Sequence, residues 1–349
     1  MSEVQKMHIF NRVMRWCCLA LVLPMCELAA QDLHCSQFWM NSMRINPAAA
    51  GLIDGDFRVG TYSRTQWLSV TKPYQTNGFW ADAPIWKRKV QQDIFGAGVA
   101  LDMDRTGDSK YCTWQLNSFF SYSKSLNYRN NHFLSAGLML GLVQKQLDVA
   151  ALTTDEQYQG GLYHPELVSQ ENFPSNSFSF PDIGGGVRWF YKPGNKCAFD
   201  AGLSLMHLNK PHHSLLKDEK IFLPMKYTAH FQMSVPANVN VMLRPSLYFS
   251  RQHMYNEVMA GLLAVYSFHF DQKGFVNKWV TGVDYRLGDA VYVVTGIEWR
   301  RLQLQLSYDF NVSRLSVASH GRGGFELSAT YIYKKTRLFR PHKMPCPIF

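Results

Sequence analysis

Apolar and polar residues alternate with a period of two along most of this chain, the pattern of strands with one apolar and one polar face. The clearest run sets Leu302, Leu304, Leu306, Tyr308 and Phe310 against Gln303, Gln305, Ser307 and Asp309. Phe325, Leu327, Ala329, Tyr331 and Tyr333 alternate likewise with Glu326, Ser328 and Thr330. Leu134, Ala136, Leu138, Leu140 and Leu142 oppose Ser135, Gly137 and Gly141, and Tyr227, Ala229, Phe231 and Met233 oppose Thr228, His230, Gln232 and Ser234. Comparable stretches lie near 57–66, 75–85, 94–103, 113–123, 184–192, 197–207, 239–249, 257–268, 278–286 and 290–299. The count is about 14 strands of roughly 9–11 residues, the length that crosses a bilayer at a tilt.

Turn-prone residues separate these runs, among them Asn130-Asn131, Pro193-Gly194-Asn195, Gly288-Asp289 and Arg322-Gly323-Gly324. Trp67, Trp80, Trp86, Trp114, Trp189, Trp279 and Trp299 are expected near strand ends, where amphipathic rings suit a head-group girdle. A soluble sandwich or propeller would alternate too. Its strands would be shorter, and a propeller would carry a repeat period, which is absent. A sheet in hydrocarbon must close to leave no edge. The expected fold is therefore an all-β, transmembrane antiparallel β-barrel over residues 57–334.

Mean hydropathy is slightly negative, which excludes a bundle of membrane helices. The one continuous apolar run, Trp16 to Met25, is too short to span and follows Lys6, Arg12 and Arg15. Leu28-Ala29-Ala30 supplies a small-residue cleavage site, so residues 1–30 read as a secretory signal peptide. Pro24 and Met25 stand where a lipoprotein signal before Cys26 would have small residues. Cleavage removes three basic and two acidic groups and takes the net charge from +10 to +9. That balance suits anionic lipid or acidic proteins. Export argues against nucleic acid. Four cysteines remain (Cys35, Cys112, Cys197 and Cys346), with no metal-ligand spacing; an oxidising envelope would permit one disulfide without fixing its pair.

Two long connections interrupt the rhythm, Asp148 to about Pro181 and His207 to Pro224, and in such barrels long loops face outward. Residues 31–56 show little alternation and contain Asn46-Pro47, which suits an extended segment or turn ahead of the first strand. This segment is expected either to contact a partner or to fill the barrel as a plug. Arg64, Arg244, Arg251, Arg286 and Arg300 fall in expected strands, where charge facing lipid at midplane costs about 2–4 kcal/mol. They should point inward or lie near an interface, paired with Asp102, Asp200, Asp284, Asp309, Glu257, Glu298 and Glu326. His207, His212, His213 and His230 show no metal-site spacing, and no GxSxG or HExxH motif supports a hydrolase. The basic end, residues 335–349 with Lys334 before it, reads either as a solvated charge run or as a docking site.

Several motifs occur in order along the chain. The mature start, Gln31-Asp32-Leu33-His34-Cys35-Ser36-Gln37-Phe38, is followed by Asn46-Pro47-Ala48-Ala49-Ala50-Gly51 and by Tyr62-Ser63-Arg64-Thr65-Gln66-Trp67. Phe180-Pro181-Asp182-Ile183-Gly184, His207-Leu208-Asn209-Lys210-Pro211, Gly282-Val283-Asp284-Tyr285-Arg286 and the Cys346-Pro347-Ile348-Phe349 end continue the series. Together they resemble the PorP/SprF family of Bacteroidota outer-membrane proteins. The resemblance implies a non-enzymatic outer-membrane component of the type IX secretion system, and of gliding-associated adhesin delivery where that exists. It implies as partners the periplasmic PorK/PorN ring, an SprA-type translocon and cargo with C-terminal sorting domains, and no cofactor. Gln31, Asp32, Ser36, Gln37, Asn46, Pro47, Arg64, Trp67, His207 and Asn209 are the expected partner-binding or lumenal residues. A small-molecule porin is the main competing reading, and a barrel hydrolase a lesser one.

Overall fold

The computed structural model describes residues 35–335 except 68–71, 88–92, 108–109, 153, 160–161, 165–166, 168–174, 195–196, 216–219, 271–275, 314–318 and 320. The chain divides into residues 1–32 and 33–349, and every described residue falls in the second unit. The expected signal peptide, Gln31, Asp32, Cys346 and all of the basic end beyond Lys335 lie outside the described residues.

Fourteen strands close into one antiparallel barrel. In chain order they begin with β1 (Phe57–Gln66), β2 (Tyr74–Lys87), β3 (Ile94–Thr106), β4 (Tyr111–Ser125) and β5 (His132–Gln146). A separate two-stranded pair, β6 (Tyr158–Gln159) and β7 (Leu162–Tyr163), sits in the connection that follows. The barrel resumes with β8 (Ser177–Tyr191), β9 (Ala198–Met206), β10 (Lys226–Pro236), β11 (Val241–Gln252) and β12 (Tyr255–Phe270). It ends with β13 (Val276–Arg286), β14 (Ala290–Trp299), β15 (Leu302–Asn311) and β16 (Arg322–Tyr333). Each strand pairs with its sequence neighbour in the barrel, and β16 pairs with β1 from Phe57↔Tyr333 to Thr65↔Phe325. No unpaired edge remains in the hydrocarbon.

The alternation read from the sequence becomes an inside and an outside. Leu134, Leu138, Leu140 and Leu142 of β5 are exposed on the outer face, while Phe133, Ser135, Met139 and Val143 are buried on the inner one. Trp86, Trp114, Trp279 and Trp299 are exposed outside, as a girdle requires. Trp80 departs from that expectation: it points into the lumen, 1% exposed, with the Arg58 guanidinium 4.9 Å above its ring.

The end carrying residues 54–57 and 333–335 is closed by Asp56 N–H donating to the Tyr333 carbonyl at 2.7 Å and by a Lys334–Asp54 ion pair at 2.6 Å. The two long connections, 147–176 and 207–225, leave from the opposite end. Short turns face the periplasm and long loops the exterior in barrels of this kind, so the latter end is the outer one.

Strand lengths run from 9 residues in β9 to 16 in β12. β1, β9, β10, β13, β14 and β15 keep to the expected span of roughly 9–11, and the other barrel strands exceed it. Strands this long project beyond the hydrocarbon layer while staying paired. The long connection after β5 accordingly ends at Ser177, and Pro181 lies inside β8 opposite Leu142. Proline is tolerated there because β9 pairs with β8 only up to Gly185, which leaves the outer part of β8 without a strand on that side. Loop residues complete that edge instead: Leu208 N–H donates to Ile183 O at 2.8 Å, and Asn209 donates to Pro181 O at 2.7 Å and accepts from Ile183 N–H at 3.2 Å.

Of the five strand arginines, Arg64 and Arg286 are buried inside and Arg244 points inward to Glu298 at 3.5 Å. Arg251 is exposed on the outer side at the end of β11. Arg300 is not in a strand at all. It takes a left-handed conformation (φ 55°) in the turn between β14 and β15.

Candidate functional site

Residues 35–51 enter the barrel and line its interior. Asn46 is extended (φ −147°, ψ 114°), the conformation that a following proline imposes. Pro47 then opens a short 3-10 turn, Pro47–Ala49, whose first amides are capped by the Asn46 side chain accepting from Ala48 N–H at 3.0 Å. A single helical turn, Ser42–Ile45, precedes it. Met43, Asn46, Ala48 and Ala50 are each 0% exposed.

The wall grips this segment at several depths. Near the outer end, Ser36 N–H and Gln37 N–H both donate to the Glu326 carboxylate, at 2.8 and 3.2 Å. The Ser36 hydroxyl donates to Asp309 at 2.8 Å, and Gln37 bridges Ser307, Ser328 and the Glu326 carbonyl. Two arginines neutralise these carboxylates. Arg64 lies 3.1 Å from Asp309 and 4.0 Å from Glu326, and Arg286 lies 3.3 Å from Glu257, 2.9 Å from Asp289 and 3.8 Å from Asp309. Lower down, Asn46 donates to the Val187 and Leu203 carbonyls, Ser204 donates to Ile45 O, and Ser121 donates to Ala50 O at 2.6 Å. Gly51 N–H reaches Asp82 at 2.9 Å, which also holds Arg58.

Glycines on the inner face make room for the segment. A Cβ on Gly137 would lie 2.3 Å from Ala48 N, and one on Gly96 would lie 2.1 Å from Ala50 O. Main chain cannot yield to such contacts as a flexible side chain can. On the far wall, Phe38 packs with Tyr248, Met259, Leu263, Val265, Val280, Tyr292 and Val294, with Trp39 and Ile45 beside it. Trp39 also donates to Gln305 at 3.0 Å. The segment is thus held by directed bonds on one side and by apolar burial on the other.

Between segment and wall lies a cavity of about 40 Å³, lined by residues that include Cys35, Asn41, Arg44, Tyr62 and Trp80. It is large enough for a few waters and too small for a typical substrate. Desolvation pushes the Cys35 thiol up to about 12, against the opposing pull of Arg44, so it is a neutral thiol at physiological pH. Cys35, Cys112 and Cys197 are free. Among the described residues no group of three or more His, Cys, Asp or Glu is gathered as a metal site.

Of the residues singled out by motif, Ser36, Gln37 and Arg64 meet in the one carboxylate cluster, and Asn46 and Pro47 meet β5, β8 and β9 lower in the lumen. His207 is buried at the outer end of the barrel, 2.9 Å from Asp182, and Asn209 completes the β8 edge above it. Trp67 stands at the outer end of β1, its ring 4.6 Å from that of Tyr74. From the sequence, Asp309 and Glu326 are expected to pair only with arginines. In the structure Glu326 also holds two backbone amides of the segment and Asp309 its Ser36 hydroxyl, and Gly96 and Gly137 carry no local signal of their role. A signal for the apolar wall was present: Val258–Val265 and Val291–Val294 run apolar without alternation, so both faces of those strands are greasy.

The outer mouth is covered in part by the connection 207–225. It folds back through a His212↔Phe222 bridge and buries Leu223 against Val143 and Phe180. His213 accepts from the Lys145 ammonium at 2.7 Å. Burial first, and then the charge of Lys145, lowers the His213 pKa to about 4, so the ring is neutral at physiological pH.

Comparison with known proteins places this architecture. Residues 27–331 match the sequence model of the family described as type IX secretion system membrane protein PorP/SprF. No curated relative matches the chain. Among solved structures, the Pseudomonas putida toluene transporter TodX is similar at 13% identity and a TM-score of 0.51, over 86% of this chain and 94% of that one. A TodX deltaS2S3 mutant monoaromatic hydrocarbon channel gives 11% identity and 0.52, over 84% and 94%. The Ralstonia pickettii toluene transporter TbuX gives 12% and 0.50, over 84% and 93%. At these identities the likeness is one of fold.

Proposed function

Because this chain belongs to the PorP/SprF family and is an outer-membrane component of type IX secretion, we propose that it works as a plugged, non-conducting barrel that binds secretion partners rather than passing or modifying small molecules. The observation that carries this reading is the lumenal segment 35–51, bonded to β2, β4, β8, β9, β15 and β16 through buried groups. Moving it aside would take the Ser36 and Gln37 amides from Glu326 and the Ser36 hydroxyl from Asp309 and Arg286, in a site that is buried. Binding then falls to the surfaces left accessible: the outer connections 147–176 and 207–225, and the periplasmic rim where Lys334 and Asp54 meet. The partners are the periplasmic ring, the translocon and cargo with C-terminal sorting domains.

The test has two arms. Purified protein in planar bilayers should give no steady conductance, and cross-linked affinity capture from native outer membranes should recover secretion components through the outer connections or the periplasmic rim. Steady large channels from the wild-type protein, together with normal secretion after its deletion, would replace this reading with a porin.

A further inference from the structure

A groove of about 850 Å³ opens on the outer surface where β10 and β11 reach the exterior end of the barrel. Its apolar lining includes Phe222, Tyr227 and Phe249, and its basic side chains are Lys210 and Arg251, with His253 beside them. The strand register fixes which way these side chains point. Tyr227 lies opposite Arg251, and Ala229 opposite Phe249, while their neighbours Thr228, Ser250 and Gln252 are buried on the lumenal face. Tyr227 and Phe249 therefore belong to the lipid-facing surface, 46% and 38% exposed, and Arg251 stands two residues beyond Phe249 at the outer boundary.

No acidic residue lines the groove among the described residues. Neither Lys210 nor Arg251 has a side-chain hydrogen bond or ion pair among them. An arginine facing outward beside aromatic rings at the edge of a bilayer needs an anion at that level. The chemistry that meets all three features is an acylated lipid with phosphate on its head group: acyl chains lie on Tyr227 and Phe249, and phosphate oxygens take the Lys210 and Arg251 donors.

We propose that this groove is a binding site for a phosphorylated, acylated lipid of the outer leaflet. It is separate from the lumenal segment and does not depend on the role assigned to that segment.

Native mass spectrometry of the full-length protein in detergent tests it, with lipid A carrying both phosphates, the same lipid without phosphate, and inorganic phosphate as probes. Lipid A should be retained, about five-fold more weakly in K210Q and in R251Q, and roughly 25-fold more weakly in the double variant. The dephosphorylated lipid should bind as weakly as the double variant, and millimolar inorganic phosphate should not displace lipid A. Equal retention by the double variant, equal binding of the dephosphorylated lipid, or displacement by inorganic phosphate would each overturn the proposal. Heat-dependent electrophoretic migration reports whether each barrel has folded. Should R251Q fail that check, K210Q alone, outside the strands, carries the contrast at about five-fold.

Discussion

The two walls of the lumen hold the same segment in opposite ways. From β15 through β16 and β1 to β2, the wall offers Asp309, Glu326, Ser328, Arg64 and Asp82, and it meets Ser36, Gln37 and Gly51 with directed hydrogen bonds. Between β11 and β14 it offers Tyr248, Met259, Leu263, Val280 and Val294, and it meets Phe38 with surface alone. The exception there is Arg286 at the outer end of β13, which donates to the Ser36 hydroxyl at 3.0 Å. Directional bonds specify one register, because a shifted segment leaves buried carboxylates and amides unpaired. Apolar contact tolerates small shifts but supplies burial free energy without any desolvation cost. The polar wall sets where the segment sits, and the apolar wall helps keep it there.

The strongest way to break this division is Arg64→Ala. It leaves Asp309 and Glu326 short of a cation in a buried site, a loss of about 3–5 kcal/mol. Urea unfolding in phospholipid vesicles should show it, and amide exchange at Ser36 and Gln37 should accelerate with it. Phe38→Ala attacks the other wall and should cost about 3 kcal/mol. Here exchange at 36–37 should stay slow, since the carboxylate cluster is intact. Equal acceleration in both variants would mean the walls do not divide the labour.

Gly137→Ala is next, at about 1–3 kcal/mol, because its Cβ meets backbone at Ala48. A cysteine at Ala48 should become reactive to a lumen-permeant thiol reagent in that background and stay protected otherwise. Asn46→Ala removes the cap on Ala48 and two bonds to the wall, and should cost about 1–2 kcal/mol by the same unfolding assay.

The smallest effect concerns His213, which belongs to neither wall. Its folded pKa lies below the unfolded value near 6.5, so its contribution is complete above that pH and declines as pH falls from about 6.5 towards 4. Protonation removes the acceptor for Lys145 and places two cations together. Amide exchange across 207–225 should therefore rise through that window in the wild type. In H213F it should be flat.

The walls also explain what could be read before the structure. The 14 strands were legible because the bilayer forces an apolar residue outward at every second position, whatever the interior does. Polar lumenal residues such as Ser307 and Glu326 sharpened the pattern. The upper part of β8 reads as loop in the sequence because Pro181 breaks a strand unless one neighbour is missing, and a missing neighbour is a tertiary fact. Residues 31–51 were recognisable as a non-strand segment, with a plug as one of two readings. Its seat was not recognisable, since Ser36 and Glu326 are separated by 290 positions and no local rule couples them. Trp80 departs from the girdle for a related reason: it stands midway along β2, and only the register turns its ring to the lumenal side where Arg58 lies.

The anchorage of Ser36 and Gln37 carries a consequence for assembly. Their partners, Ser307, Asp309, Glu326 and Ser328, reside in the final two strands to be synthesised. The portion of the folded unit that leaves the ribosome first cannot finish docking until the last hairpin is in place and the cylinder has zipped against β1. Such long-range closure is slow relative to local pairing. A barrel truncated before β15 would leave its own beginning without a berth.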